Sequence, residues 1–247
     1  MNASVRFEAV RFTYPRPPAP LRLLMGAGRP AVEVLSGLTF SLAPGERACL
    51  MGPNGAGKTT LLKLLLGALA PESGTVALLG GRPGDPAVRR KVGLAHADER
   101  SFYWRLTVLE NLLFFGRLWG MAAPDARRRA AELAGTLEMG DLLDVPFARL
   151  STGQRQKAVL ARALLHGPEL VLLDEPTRSL DAHAASRFRA LLEGPAFDRR
   201  TLLVATHDPA EAARVAPRCL VLVGGRIRHD GPAPGAAALE ALLEGTP

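Results

Sequence analysis

Apolar and polar positions roughly alternate from Ser4 to Thr13 and again from Val32 to Leu42, the period-two pattern of half-buried strands. Between them lies a stretch with Pro15, Pro17, Pro18 and Pro20, in which the basic, apolar run Leu21 to Met25 reads as a short surface helix. Ala43-Pro44-Gly45-Glu46 is a turn, and Arg47 to Met51 is a short buried strand. Leucines then fall on most faces of Lys58 to Leu69, which predicts a helix buried nearly all round. Short strands are predicted near Thr75 to Leu79 and Val92 to Ala95. From Thr107 the spacing becomes helical. Leu109, Leu112, Leu113 and Leu118 form one amphipathic stripe, Ala126 to Leu137 is a charged helix after Pro124, and Ser151 to Leu165 is a third helix. Past Gly167 strands and helices alternate: Leu170 to Leu173, Ala182 to Leu192, Thr201 to Ala205, Pro209 to Val215 and Leu220 to Val223.

Strands separated by helices imply a parallel sheet covered on both faces. The helical block therefore reads as an insertion into one α/β domain: residues 1–98 and 168–230 as the core, 99–167 as the helical subdomain, and 231–247 as a peripheral tail rich in Ala, Gly, Pro and Glu. Composition agrees, since 47% hydrophobic and 22% charged residues describe an ordinary globular protein. No stretch approaches the roughly 18 apolar residues of a spanning helix; Leu61 to Ala70 is shorter and is interrupted by Lys63. The start lacks the apolar core of a signal peptide, so the chain is expected neither to enter nor to cross a membrane by its own sequence. Cys49 and Cys219 sit inside apolar runs without paired spacing, as buried reduced thiols do. The net charge is +7, but the basic residues, nearly all arginine, are scattered apart from Arg127-Arg128-Arg129 and Arg199-Arg200. That is a solvated surface, and no nucleic acid is expected as partner.

Chemistry enters with Gly52-Pro53-Asn54-Gly55-Ala56-Gly57-Lys58-Thr59, which fits the phosphate-binding loop G-x-x-x-x-G-K-[ST] in full. The glycines let backbone N–H groups turn inward around phosphate oxygens, and the next helix offers them its positive end. Lys58 supplies a charge to the β- and γ-phosphates of ATP, the Thr59 hydroxyl can ligate Mg²⁺, and Thr60 follows it at the helix start. Leu170 to Leu173 then runs into Asp174-Glu175, two acids at the carboxyl end of a buried parallel strand, where such folds bind ligands. Asp174 is placed to hold Mg²⁺ and Glu175 to act as general base toward water.

Leu150-Ser151-Thr152-Gly153-Gln154, opening a helix, resembles the LSGGQ signature of ATP-binding-cassette proteins, with Thr152 in place of the first glycine of the pair. The resemblance runs from about Val5 to Asp230. Ser179-Leu180-Asp181 resembles the loop that crosses the dimer interface in that family, Thr206-His207-Asp208 its switch histidine, and Tyr14 its adenine-stacking aromatic. Tyr14 also reads as an exposed strand aromatic beside prolines. The resemblance implies a RecA-like P-loop core, an antiparallel N-terminal β subdomain and an inserted helical subdomain. It also implies that Ser151, Gly153 and Gln154 of one chain, with Asp181, complete the ATP site of another. One phosphate loop and one signature per chain then require a head-to-tail pair, a homodimer or a paralogous heterodimer, around two nucleotides.

The family places a glutamine after the Val92 strand, and this chain has none in His96-Ala97-Asp98-Glu99-Arg100. Asp98 aligns best with it, as a further Mg²⁺-facing carboxylate, and Glu99 next. Phe102-Tyr103-Trp104-Arg105 falls where the family cradles a membrane subunit, and it also reads as core packing. Together with the insertion after Tyr14, this segment resembles drug and polysaccharide exporter ATPases. That implies an ATPase held peripherally on the cytoplasmic face of the cell membrane by a separate transmembrane permease. The alternative is a cassette ATPase acting on nucleic acid or a protein complex without transport.

Overall fold

The structure, a computed structural model, describes residues 3–15, 31–96 and 101–244. The predicted helix at Leu21 to Met25 lies outside the described residues. Val5–Tyr14 (β1) and Val32–Leu42 (β2) pair antiparallel, Arg47–Met51 (β3) follows, and Ser73–Leu78 (β4) takes the other edge of β1. The alternation in β1 slips by one at Ala9, which stands at φ 48° where the register shifts. This bulge keeps Val10 and Phe12 on the buried face with Val5 and Phe7. Phe7 stacks on Phe40 of β2, with ring centroids 4.9 Å apart.

The second sheet has the strand order β5-β6-β7-β3-β8-β9, with Val92–His96 (β5), Leu170–Asp174 (β6), Thr201–Thr206 (β7), Arg218–Val223 (β8) and Arg226–Gly231 (β9). All are parallel except β9, which returns from β8 as a hairpin. The sequence reading missed β9, although Gly224-Gly225, at φ 56° and 75°, is a two-glycine hairpin signal.

Both faces of this sheet are buried, so β6 has no polar side. Leu170 and Leu172 pack with Leu61, Leu62, Leu64 and Leu65 of the helix Lys58–Leu65 (α1). Val171 and Leu173 pack with Leu112, Leu133, Phe147 and Leu160 of the helical layer. Helix α1 ends four residues earlier than expected. Gly67 takes φ 67°, and a Cβ there would stand 2.3 Å from the backbone nitrogen of Gly84, so the chain turns where two backbones meet. A single-turn helix, Pro86–Arg89 (α2), precedes β5.

The helical layer comprises Val108–Leu118 (α3), Ala123–Thr136 (α4) and Thr152–Leu164 (α5). Thr107 and Glu110 form a capping box that starts α3. The expected stripe is corrected at one position: Leu118 is 67% exposed, while Leu112 is buried and Leu109 packs against the core. Two further helices, Ala182–Leu192 (α6) and Pro209–Val215 (α7), lie near the ends of β6 and β7. The tail does more than trail, because it forms a last helix, Ala236–Glu244 (α8), whose Leu239 is buried with Cys49, Met51, Cys219 and Val221. Both cysteines are buried free thiols, side by side in the β3–β8 register.

Candidate functional site

Parallel strands bring their carboxyl ends to one edge, and the predicted chemistry collects there. The phosphate loop leaves β3, Asp174 ends β6, and His207 follows β7. Lys58 is 6% exposed, and its ammonium donates to the carbonyls of Gly52 and Pro53 at 2.7 and 3.2 Å. Gly55 and Gly57 stand at φ 84° and 108°, a backbone that side chains rarely tolerate. Gly52 is required for a different reason, since a Cβ there would lie 2.3 Å from the carbonyl oxygen of Leu222 in β8. The Gly52→Ala protein is therefore expected to lose about 1–3 kcal/mol of stability through overpacking and to bind ATP more weakly. Thermal unfolding and nucleotide titration check this; an unchanged Tm together with unchanged affinity would refute the close-approach argument.

Asp174 and Glu175 adjoin in sequence yet do different things. A strand would send them to opposite faces. Instead Glu175 leaves the strand at φ 50°, while its N–H still bonds to the Ala205 carbonyl. That strained turn aims its carboxylate at Lys58, 3.5 Å away, and at the His207 ring, whose Nδ1 is 2.7 Å from Oε2. Asp174 points toward the phosphate loop, with Oδ2 at 3.4 Å from the Thr59 hydroxyl. Its Oδ1 is buried with no hydrogen-bond partner, which suits a carboxylate that holds a cation or its water. Thr59 and Asp174 thus fit Mg²⁺. Asp98, the third expected ligand, lies outside the described residues.

Tyr14 ends β1 beside the phosphate loop. Its hydroxyl is 3.3 Å from that of Thr60, and it lines a groove of about 290 Å³ with Pro53, Asn54, Gly55, Gly57 and Lys58. Ala56 is buried beneath the loop, and its N–H bonds to the Pro53 carbonyl. Ser151 and Gln154 are elsewhere. They close a capping box at the start of α5, with the Ser151 N–H donating to Gln154 Oε1 at 2.8 Å. With Gly153 and Asp181, the cap of α6, they line a separate groove of about 330 Å³ that shares no residue with the phosphate groove. One chain does not bring the two halves together.

Two neighbours of the site escaped the sequence reading. The β5–β6 register sets His96 beside Asp174, with ring Nδ1 at 3.2 Å from Oδ2. Arg178 lines the phosphate groove and also the adjoining cavity of about 580 Å³ with His207 and Asp208. Only strand register reveals the first; the second carried just the weak signal of a base three residues past Glu175.

A phosphate loop between strand and helix, facing an acid pair at the end of a neighbouring parallel strand, defines a P-loop nucleotide-binding ATPase. More narrowly, the chain belongs to the ATP-binding-cassette family, whose members hydrolyse ATP to drive transport: a family model described as "ABC transporter" matches residues 35–178. A Nod factor export ATP-binding protein I from Paraburkholderia xenovorans is 39% identical over 203 residues, 80% of this chain and 66% of that relative's length. A cobalt import ATP-binding protein CbiO from Rhodobacter capsulatus is 36% identical over 217 residues, 86% of this chain and 78% of that protein. Among solved structures, a dimeric ATP-binding cassette in a post-hydrolysis state, bound to ADP and Pi, superposes with a TM-score of 0.74 at 26% identity, covering 94% of this chain and 99% of that one. Among the described residues no helix is long and apolar enough to cross a membrane.

Proposed function

We propose that two copies of this chain, or this chain and a paralogue, close head to tail around two Mg-ATP, and that the cycle of closing and reopening powers an exporter of drugs, lipids or polysaccharides through a separate permease. The observation that carries the dimer is the division of the site: the phosphate groove and the Ser151 groove are built from different residues and need a second chain to meet. The relative bound to ADP and Pi is itself dimeric. Export is favoured by the resemblance of the Asp98–Arg105 segment to exporter ATPases and by the 39% identity to a protein of Nod factor export.

In this reading Lys58 and the loop N–H groups bind the phosphates, and Tyr14 stacks on adenine. Thr59 and Asp174 would hold Mg²⁺, which would neutralise phosphate charge. Glu175 takes the proton of the attacking water, and the short contact with His207 fixes the direction of its carboxylate. Ser151 and Gly153 of the other chain close over the terminal phosphate. Hydrolysis removes what they grip, and the pair reopens.

A surface for the permease is available next to the helical layer. The aromatic segment divides: Phe102 is buried and stacks on Phe147 at 4.3 Å, whereas Tyr103 and Trp104 are 50% and 44% exposed. Tyr103 meets the exposed Phe114 edge to face, and the Arg155 guanidinium lies 4.5 Å from the Trp104 ring centroid. Exposed aromatics beside arginine suit the centre of an interface.

Direction is tested in membrane vesicles holding this chain with the six-helix protein expected from a neighbouring gene. ATP-dependent uptake of a lipophilic dye or labelled oligosaccharide into inverted vesicles is expected. Uptake confined to right-side-out vesicles with ATP inside would make the system an importer. ATPase stimulation by DNA or RNA, lost at high salt, would favour the transport-independent alternative. For adenine stacking, Tyr14→Ala is expected to raise the Kd for ATP about tenfold while Tyr14→Trp does not, because base–aromatic stacking contributes about 1–3 kcal/mol. Equal affinities across the three proteins would leave Tyr14 as a strand aromatic only.

A further inference from the structure

Glu211 is fully buried in the first turn of α7, and among the described residues no cation is bonded to it. Its Oε1 accepts from the Thr177 hydroxyl at 2.9 Å, and Oε2 has no hydrogen-bond partner. Thr177 is two residues past Glu175 and is itself buried. Glu211 sits just past the loop that carries His207, so its bond from Thr177 ties the end of that loop to the loop that carries Glu175, the acid and imidazole being in contact at 2.7 Å. Burying an acid without an ion pair opposes folding, and a local arrangement that opposes folding is more common at functional sites than elsewhere.

We propose that Glu211 is a positioning residue for ATP hydrolysis, clamping the loop that follows β6 to the loop that follows β7 so that Glu175 and His207 keep their spacing. This rests on the reading that Glu175 and His207 carry hydrolysis. Among the described residues no side-chain hydrogen bond joins Glu211 or Thr177 to residues 52–59, so the clamp is expected to act on turnover rather than on ATP capture.

Burial pushes the Glu211 carboxyl above the usual carboxylate range. Asp208 pushes it the same way, while the Thr206 and Thr177 hydroxyls and Arg189 act against the shift; the Cys49 thiol also feels its charge. Above about pH 4.3, the ordinary glutamate value, the folded chain holds a proton that the unfolded chain has lost. Stability then falls as pH rises toward the raised value, and below that window the penalty vanishes.

The experiment compares kcat, KM for ATP, and Tm against pH in Glu211→Gln, Glu211→Leu and Thr177→Val. Glutamine is nearly isosteric and keeps an acceptor for the Thr177 hydroxyl, so its kcat is expected within about threefold of wild type. Its Tm advantage over wild type should grow from pH 4 to pH 7. Leucine cuts the clamp, and kcat should fall about 10–100-fold, the usual effect of a small misplacement, with KM nearly unchanged. Thr177→Val, which leaves the acid in place, should lower kcat in the same sense and serves if the leucine protein does not fold. Wild-type kcat in a folded Leu or Val protein overturns the proposal, and so does a Gln protein as slow as Leu, or a loss expressed only in KM. Glu175→Gln is run alongside: if it keeps turnover, the underlying reading fails, whereas if it is inactive and the Glu211 variants are not, only the clamp fails.

Discussion

Glu175→Gln is expected to hydrolyse ATP about 10²–10⁴-fold more slowly than the wild type, the usual worth of a general base, while its ATP affinity stays close to wild type. The geometry separates the two quantities. In the proposed reading affinity comes from Lys58, the loop backbone, Thr59 and Tyr14, none of which the substitution removes. Glutamine is nearly isosteric, can still accept near Lys58 and can still meet His207, so the left-handed turn and its bond to Ala205 remain. What is lost is a proton acceptor. In rate terms this is about 2.7–5.5 kcal/mol of barrier. The slow protein should also stay paired in Mg-ATP, visible as doubled mass in light scattering, because the terminal phosphate that joins the copies is not removed. Single-turnover hydrolysis measures the first effect, and turnover near wild type would take the role of base away from Glu175.

The second large effect is expected in trans. Ser151→Arg sets a long cationic side chain where a small hydroxyl caps α5 beside Asp181, and it should abolish turnover although its own phosphate loop is untouched. Loss of the cap costs only about 1 kcal/mol of helix stability, too little to explain an inactive enzyme by unfolding. Lys58→Ala should be inactive for the complementary reason. Mixed in equal amounts, the two should recover about a quarter of wild-type activity: half of the pairs are mixed, and each holds one intact site out of two. Recovery requires that the loop of one chain meet the Ser151 of the other. Demonstrated mixed pairs without recovery would mean either that the head-to-tail pairing is wrong or that both sites must be intact together.

Much of the site is legible along the chain because its parts are local. The phosphate loop needs eight consecutive residues with glycines at set places, and the structure puts Gly55 and Gly57 at positive φ within it. The capping box of Ser151 and Gln154 is likewise a four-residue pattern. Less local features were harder to read. Phe102, Tyr103 and Trp104 are similar side chains in sequence, but Phe102 is buried face to face on Phe147, while Trp104 meets the same ring only edge on and, like Tyr103, stays at the surface. Leu118 stands nine residues, or about two and a half helical turns, past Leu109, so it faces away from the buried side of α3.

By itself the sequence determined the order of the strands and helices apart from α2, β9 and α8, together with the phosphate loop and the acid pair, and one loop with one signature per chain is the pattern from which a second chain is proposed. Period, punctuation and consecutive motifs carry those facts, since each depends on neighbours within a few residues. The tertiary structure alone decided that His96 stands beside Asp174, that Glu175 turns left-handed to meet both Lys58 and His207, and that Glu211 is buried against Thr177. Those contacts join residues 32 to 117 positions apart. Parallel-strand register and the packing of helices over the strand ends set them, and neither is written in any short stretch of sequence.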